Sequence, residues 1–213
     1  MQIDTGMLRE KGQDTMTFEI FVALVTFAFV TSVTPGPNNV MLLASGVNFG
    51  FRRTIPHMAG VALGHALMVF LVGIGLMGAF IGYPPLQLAL KIVSSVYMLW
   101  LAWKIATAVP PSGAKAEGRP LTFLQAAAFQ WVNPKAWIMS LAAVAIYAPD
   151  QQLVAVAWVA LGFLSVGWLT TVIWTALGLS LRRLLARPSW LRAFNFTMAA
   201  LLLASLYPVV FQG

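Results

Sequence analysis

The sequence predicts an all-α integral membrane protein: six transmembrane helices in two inverted three-helix repeats, with the first helix of each repeat broken. Three observations predict this fold. The composition is too apolar for a soluble domain, the basic residues gather in alternate loops, and two proline-containing breaks fall at matched positions.

Of 213 residues, 60% are hydrophobic and 9% are charged, and the mean hydropathy is +0.82. A soluble domain of this size needs more charge to cover its surface. The apolar residues run in long blocks rather than one-sided stripes, and a helix needs roughly 20 of them to cross a bilayer. The blocks give helical segments at 17–49, 54–80, 84–108, 121–147, 151–181 and 189–211. Residues 1–16 read as an N-terminal extension; Asp4, Glu10 and Asp14 beside Arg9 and Lys11 deny it the basic n-region of a cleavable signal. Residues 17–213 then form a single transmembrane domain, with repeat one at 17–108, a Pro/Gly-rich linker at 109–120 and repeat two at 121–211.

The net charge of +7 would suggest nucleic acid in a soluble protein, but here the cations report orientation. Arg52 and Arg53, then Lys104, Lys115 and Arg119, then Arg182, Arg183, Arg187 and Arg192 all fall on one side if each segment crosses once. The opposite loops, "GYPP" at 82–85 and "APDQQ" at 148–152, carry neither Lys nor Arg. The basic loops are therefore expected in the cytoplasm and both termini outside, with no nucleic-acid partner and with lipid as the surrounding medium. Trp100 and Trp103 beside Lys104 fit the inner aromatic belt. The absence of cysteine excludes disulfides and thiol chemistry, and no motif for a metal or cofactor is present.

"VALG" occurs at 61–64 and again at 159–162, an offset of 98 that also lays Pro35-Gly36-Pro37 on Asn133-Pro134-Lys135. Each half is then three spans, and an odd number turns the second half upside down. Paired Pro/Gly-interrupted spans point to a binding site at mid-membrane. Pro35 and Pro37 each remove a backbone donor and disfavour helix in the residue before, and Gly36 is expected to supply unusual backbone freedom. The half-helix starting at Pro37 offers free amides and a positive dipole end where a carboxylate could dock, beside Asn38 and Asn39. A structural kink capped by the asparagines is the alternative.

Lys135 is the one cation set in a break; it either meets a substrate carboxylate, snorkels to the interface, or is satisfied by freed helix carbonyls. Asn133 either binds substrate or caps the second half-helix, and Gln130 is a further pocket candidate. Lys91 reads as a snorkelling residue. His65, within span two, is a candidate proton relay or a packing residue, whereas His57, near Arg52 and Arg53, is expected at the inner interface. Gly60 with Gly64, and Gly78 with Gly82, form GxxxG pairs that signal close helix packing. Beyond Glu19 no Asp or Glu lies within a span, so there is no carboxylate relay and no counter-charge for a cationic substrate.

"TPGPNN", "GFRRTIPHMAGVALGHAL", "LWLAWKIA" and "FQWVNPKAW" together resemble the lysine-exporter/homoserine–threonine-resistance family of bacterial amino acid exporters, most of all its cysteine and O-acetylserine branch. The resemblance runs from about Thr17 to the C-terminus. It implies inner-membrane efflux of small amino acids driven by the proton motive force. It places Pro35, Gly36, Pro37, Asn133, Pro134 and Lys135 near the substrate, and the residues themselves add Asn38 and Asn39. The residues themselves favour a neutral, zwitterionic or weakly anionic substrate. A membrane enzyme is disfavoured by the absence of HExxH, GxSxG and a buried acid pair. An assembly factor, a passive channel and an exporter of other metabolites are the remaining alternatives, and the sequence leaves open whether the chain forms a homodimer.

Overall fold

A computed structural model describes residues 16–76, 84–108, 118–185, 187–205 and 207. The described residues form helices and no strand. In chain order these are α1 Phe18–Val33, α2 Pro37–Phe49, α3 Phe51–Leu71, α4 Pro84–Ala106, α5 Phe123–Val132, α6 Pro134–Tyr147, α7 Leu153–Leu181 and α8 Pro188–Ala204. A π-helical turn, Val72–Leu76, extends α3.

Local sequence explains the boundaries. Thr17 caps α1 by accepting the Ile20 amide. Pro35 forces Thr34 into an extended conformation (φ −61°, ψ 141°) and so ends that helix. Pro37 opens α2 at the first helical position, where its missing N–H costs nothing. Gly50, at φ 79°, makes the turn between α2 and α3 with a backbone that side-chain-bearing residues rarely adopt. A capping box of Thr122 and Gln125 starts α5. Asn133 and Pro134 divide α5 from α6.

Two described helices are long and apolar enough to cross a membrane alone, Phe51–Leu76 and Leu153–Leu181. Phe18–Val33 and Pro37–Phe49 pass the same test as a pair bent by 62°. The predicted long first segment is thus a helix, a break and a second helix, and the predicted fourth segment is interrupted in the same way. The first residues, the Gly78 and Gly82 pair, most of the "GYPP" loop, the Lys91 side chain and residues 109–117 lie outside the described residues.

The long helices α3 and α7 pack against each other at the centre. Helices α1 and α2 lie against α7, α5 lies against α3, and α4 pairs with α8. Glycines set the closest approaches. A Cβ on Gly64 would stand 2.6 Å from Ala127 Cα, so the Gly60–Gly64 pair does serve close packing, of α3 on α5. On the other side, a Cβ on Gly46 would strike the Thr175 carbonyl, and one on Gly178 the Leu43 carbonyl, so α2 and α7 touch backbone to backbone. Buried amides add to this: Asn48 and Asn195 exchange hydrogen bonds of 2.8 and 3.2 Å between α2 and α8.

One end of the bundle collects the basic loops. Arg53, beside the α2–α3 turn, donates to the Gly118 carbonyl, and a Cβ on Gly50 would lie 3.3 Å from the Arg182 guanidinium. His57, expected near the inner interface beside Arg52 and Arg53, is 1% exposed and so packed inside the bundle.

Gly46→Leu should lower the apparent melting temperature of the detergent-purified protein, since overpacking costs about 1–3 kcal/mol. Gly167→Ala should leave it nearly unchanged, because its Cβ meets nothing nearer than Ala62 at 3.8 Å. Thermal unfolding followed by tryptophan fluorescence compares them.

Candidate functional site

The two breaks face one another. A chain that interrupts a helix inside a membrane must satisfy the carbonyls it frees. Here each carbonyl of the last turn of α1 has a partner. Asn39 Nδ2 donates to the Ser32 and Thr34 carbonyls, both at 2.8 Å. Trp174 Nε1 donates to the Val33 carbonyl at 3.2 Å. Lys135 Nζ, reaching over from α6, donates to the Thr34 carbonyl at 2.6 Å and to its hydroxyl at 2.9 Å. The Lys135 ammonium meets a freed helix carbonyl, one of the three fates open to it. An ammonium has three donors, so one remains beyond the two spent on Thr34.

Gly36 makes this approach feasible through space rather than conformation. Its φ of −172° and ψ of 179° are ordinary extended backbone, which corrects the expectation of unusual freedom. A Cβ there would stand 2.7 Å from Lys135 Cδ. The second link between the breaks is an amide pair: Asn38 Nδ2 donates to Gln130 Oε1 at 2.9 Å, and Gln130 Nε2 donates back to Asn38 Oδ1 at 3.2 Å.

Around these links lies a cavity with about 460 Å³ of empty space. Gly36, Asn38, Asn39, Asn133, Lys135 and His65 all line it, so most of the residues singled out from sequence converge. Pro35, Pro37 and Pro134 are absent from the lining; they shape the breaks. Gln130 is fully buried and reaches the site through Asn38. Asn133 fills both of its candidate positions: it lines the cavity, and its Oδ1 caps α6 by accepting the Lys135 amide at 3.1 Å. His65 lies 3.4 Å from Ser140 Oγ and edge-on to Phe163, with ring centroids 5.2 Å apart.

The breaks differ in polarity. Asn133 caps α6, whereas α2 begins at Gly36 without a side-chain cap. The amides of Asn38 and Asn39 thus stand at the uncapped, positive end of α2, where an anion could dock. Acceptors stand close by. Asn39 Oδ1 and the Ser32 hydroxyl have no partner among the described residues. Three polar lining residues were missed from sequence: Ser32, Thr170 and Thr171. Two adjacent threonines in the apolar run "WLTTVIW" were the available signal. The cavity can thus hold a small molecule with one anionic and one donating end, without any protein carboxylate. Among the described residues, no group of acids, histidines or cysteines could hold a metal ion.

The LysE type translocator family matches residues 29–205. The chain is 32% identical to the cysteine/O-acetylserine efflux protein of Escherichia coli O139:H28 (strain E24377A / ETEC), over 88% of this chain and 96% of that one. It is also 32% identical to the proteins of the same description from Escherichia coli K12 and Shigella sonnei (strain Ss046), over 88% of this chain and 95% of each. No solved structure matches the chain. These likenesses mark a multi-pass inner-membrane transporter rather than an enzyme. From the match across residues 29–205, most of its length, the chain belongs to the LysE-type translocator family.

Proposed function

We propose that the protein is a secondary active exporter of small neutral amino acids or their derivatives, of the cysteine/O-acetylserine, homoserine or threonine kind, coupled to the proton motive force. The observation that carries this reading is the pairing of free donors and free acceptors in one cavity that contains no acid. The substrate carboxylate meets the uncapped start of α2 and the remaining donor of Lys135. The substrate ammonium meets Asn39 Oδ1 and the hydroxyls of Ser32, Thr170 and Thr171. A cationic amino acid would bring a second charge with no partner, which an apolar surrounding penalises. The curated relatives, named for cysteine and O-acetylserine efflux, support the same substrate class.

The inverted repeat and six crossings belong to this proposal. In its support, each half opens with a broken helix, and His65 touches Phe163, its counterpart at the offset of 98. Positions related by a two-fold axis touch each other only near that axis, so the axis would pass between α3 and α7 and between the two breaks. Rocking of one half against the other would then open the cavity to either side. The end that gathers Arg53, Arg182 and Gly118 is the cytoplasmic one in this reading. His65, lining the cavity, is the group proposed to carry the proton.

Efflux from cells loaded with mixed amino acids tests the site. Wild type should release one or a few small neutral ones, and an uncoupler should stop release. Lys135→Ala and Asn39→Ala should slow it more than tenfold at matched expression, consistent with about 1.5–3 kcal/mol for charged hydrogen bonds. Undiminished efflux in both variants would discard this site. His65→Gln should retain downhill efflux that no longer responds to the uncoupler; retained sensitivity would remove His65 from the proton path. Because the chain has no cysteine of its own, orientation is read by single introduced thiols. Asp150→Cys should react with an impermeant maleimide in intact cells, and Arg52→Cys only after permeabilisation.

A further inference from the structure

A second cavity lies at the basic end of the bundle. It has about 420 Å³ of empty space, between the C-terminal half of α2, the start of α3, the end of α4 and residues 119–121. Its polar lining is unevenly satisfied. Ser45 bonds Thr54 at 2.9 Å, and Asn48 is held by Asn195 and the Ala44 carbonyl. His57 also lines it, is 1% exposed, and has no partner at either ring nitrogen among the described residues. Lys104 and Arg119 complete the polar lining, and no acid is among the lining residues.

A buried imidazole with both nitrogens unmet is a strong exception to the rule that buried polar groups are paired. In either neutral tautomer it offers one N–H donor and one acceptor. Lysine and arginine add donors only. The complementary ligand is a small molecule with a carboxylate for the cations and a polar group for one imidazole nitrogen. An amino acid zwitterion has both.

The two cavities are close neighbours. His57 and Val61 line different cavities one helical turn apart on α3, about 6 Å. On α2, Asn39 and Met41 do the same, about 3 Å apart along the axis. Met41, on the second cavity, and Val61, on the first, belong to one packed apolar cluster between them.

We infer that the second cavity is an entry station, which binds the carboxylate of the amino acid at His57, Lys104 and Arg119 before it passes the Met41–Val61 cluster. The inference rests on the export reading above. Substrate arriving from the cytoplasm meets the cations first, loses water there, and advances by about one helical turn to the broken-helix site.

The chain has only two histidines, so ¹⁵N-histidine NMR of the full chain in lipid nanodiscs reports the two cavities separately, His57 for the station and His65 for the central cavity. His65→Gln assigns the signals. On titration with O-acetylserine, the His57 resonances should move saturably. Arg119→Ala, at an exposed position, should raise the midpoint roughly threefold to tenfold, as for a lost hydrogen bond. Lys135→Ala should leave the His57 response in place. His57 resonances that stay still at saturating ligand overturn the station. In that case, movement of His65 alone, or efflux from loaded cells, leaves the export reading standing; silence in both takes down both.

Discussion

The structure depends on one reach across the fold, from the Lys135 ammonium on one broken helix to the Thr34 carbonyl at the end of the other. Each break alone is a liability. A helix opened in hydrocarbon exposes carbonyls that cost several kcal/mol each, and a lysine at mid-membrane costs about 2.5–3.5 kcal/mol on insertion scales. Set face to face, each offsets the other. Gly36 exists in this arrangement to let the lysine stem pass. The Asn38–Gln130 pair fixes the spacing of the same two elements. Because Thr34 takes two of three ammonium donors, the contact holds the fold while leaving capacity for a ligand.

That contact also explains why the two breaks play different parts. At α6 the helix start is closed by Asn133, and Lys135 extends from it as a strut. At α2 no side chain closes the start, so its amides and dipole face the cavity. Hydroxyls on α1 and α7 supply the opposite polarity. In the proposed reading a zwitterion would be matched end for end by backbone, amide and hydroxyl groups, with one fixed cation and no acid among the lining residues.

Much of this was legible because proline writes its effect into the sequence. The two breaks could be read from residue types. What could not be read were contacts made by folding. Lys135 had three candidate fates, and its contact with the Thr34 carbonyl could not be read from residue type. Gly36 looked like a conformational residue and proved to be a spatial one, because φ is not visible in sequence. Thr170 and Thr171 bond back to carbonyls on their own helix, as hydroxyls in apolar helices commonly do, so their type alone did not mark a site. The burial of His57 was not legible from its neighbours Arg52 and Arg53, because which face of α3 turns inward is decided by packing.

The central claim is that substrate occupies the cavity between the breaks. Ser32 lines it, and its hydroxyl has no partner among the described residues. The chain has no cysteine of its own, so Ser32→Cys carries a single reactive thiol. Its alkylation rate by a small maleimide, measured in the purified, transport-competent variant, is the direct test. O-acetylserine should slow alkylation saturably and lysine should not. An unchanged rate at O-acetylserine concentrations that saturate efflux would place the substrate elsewhere and contradict the account.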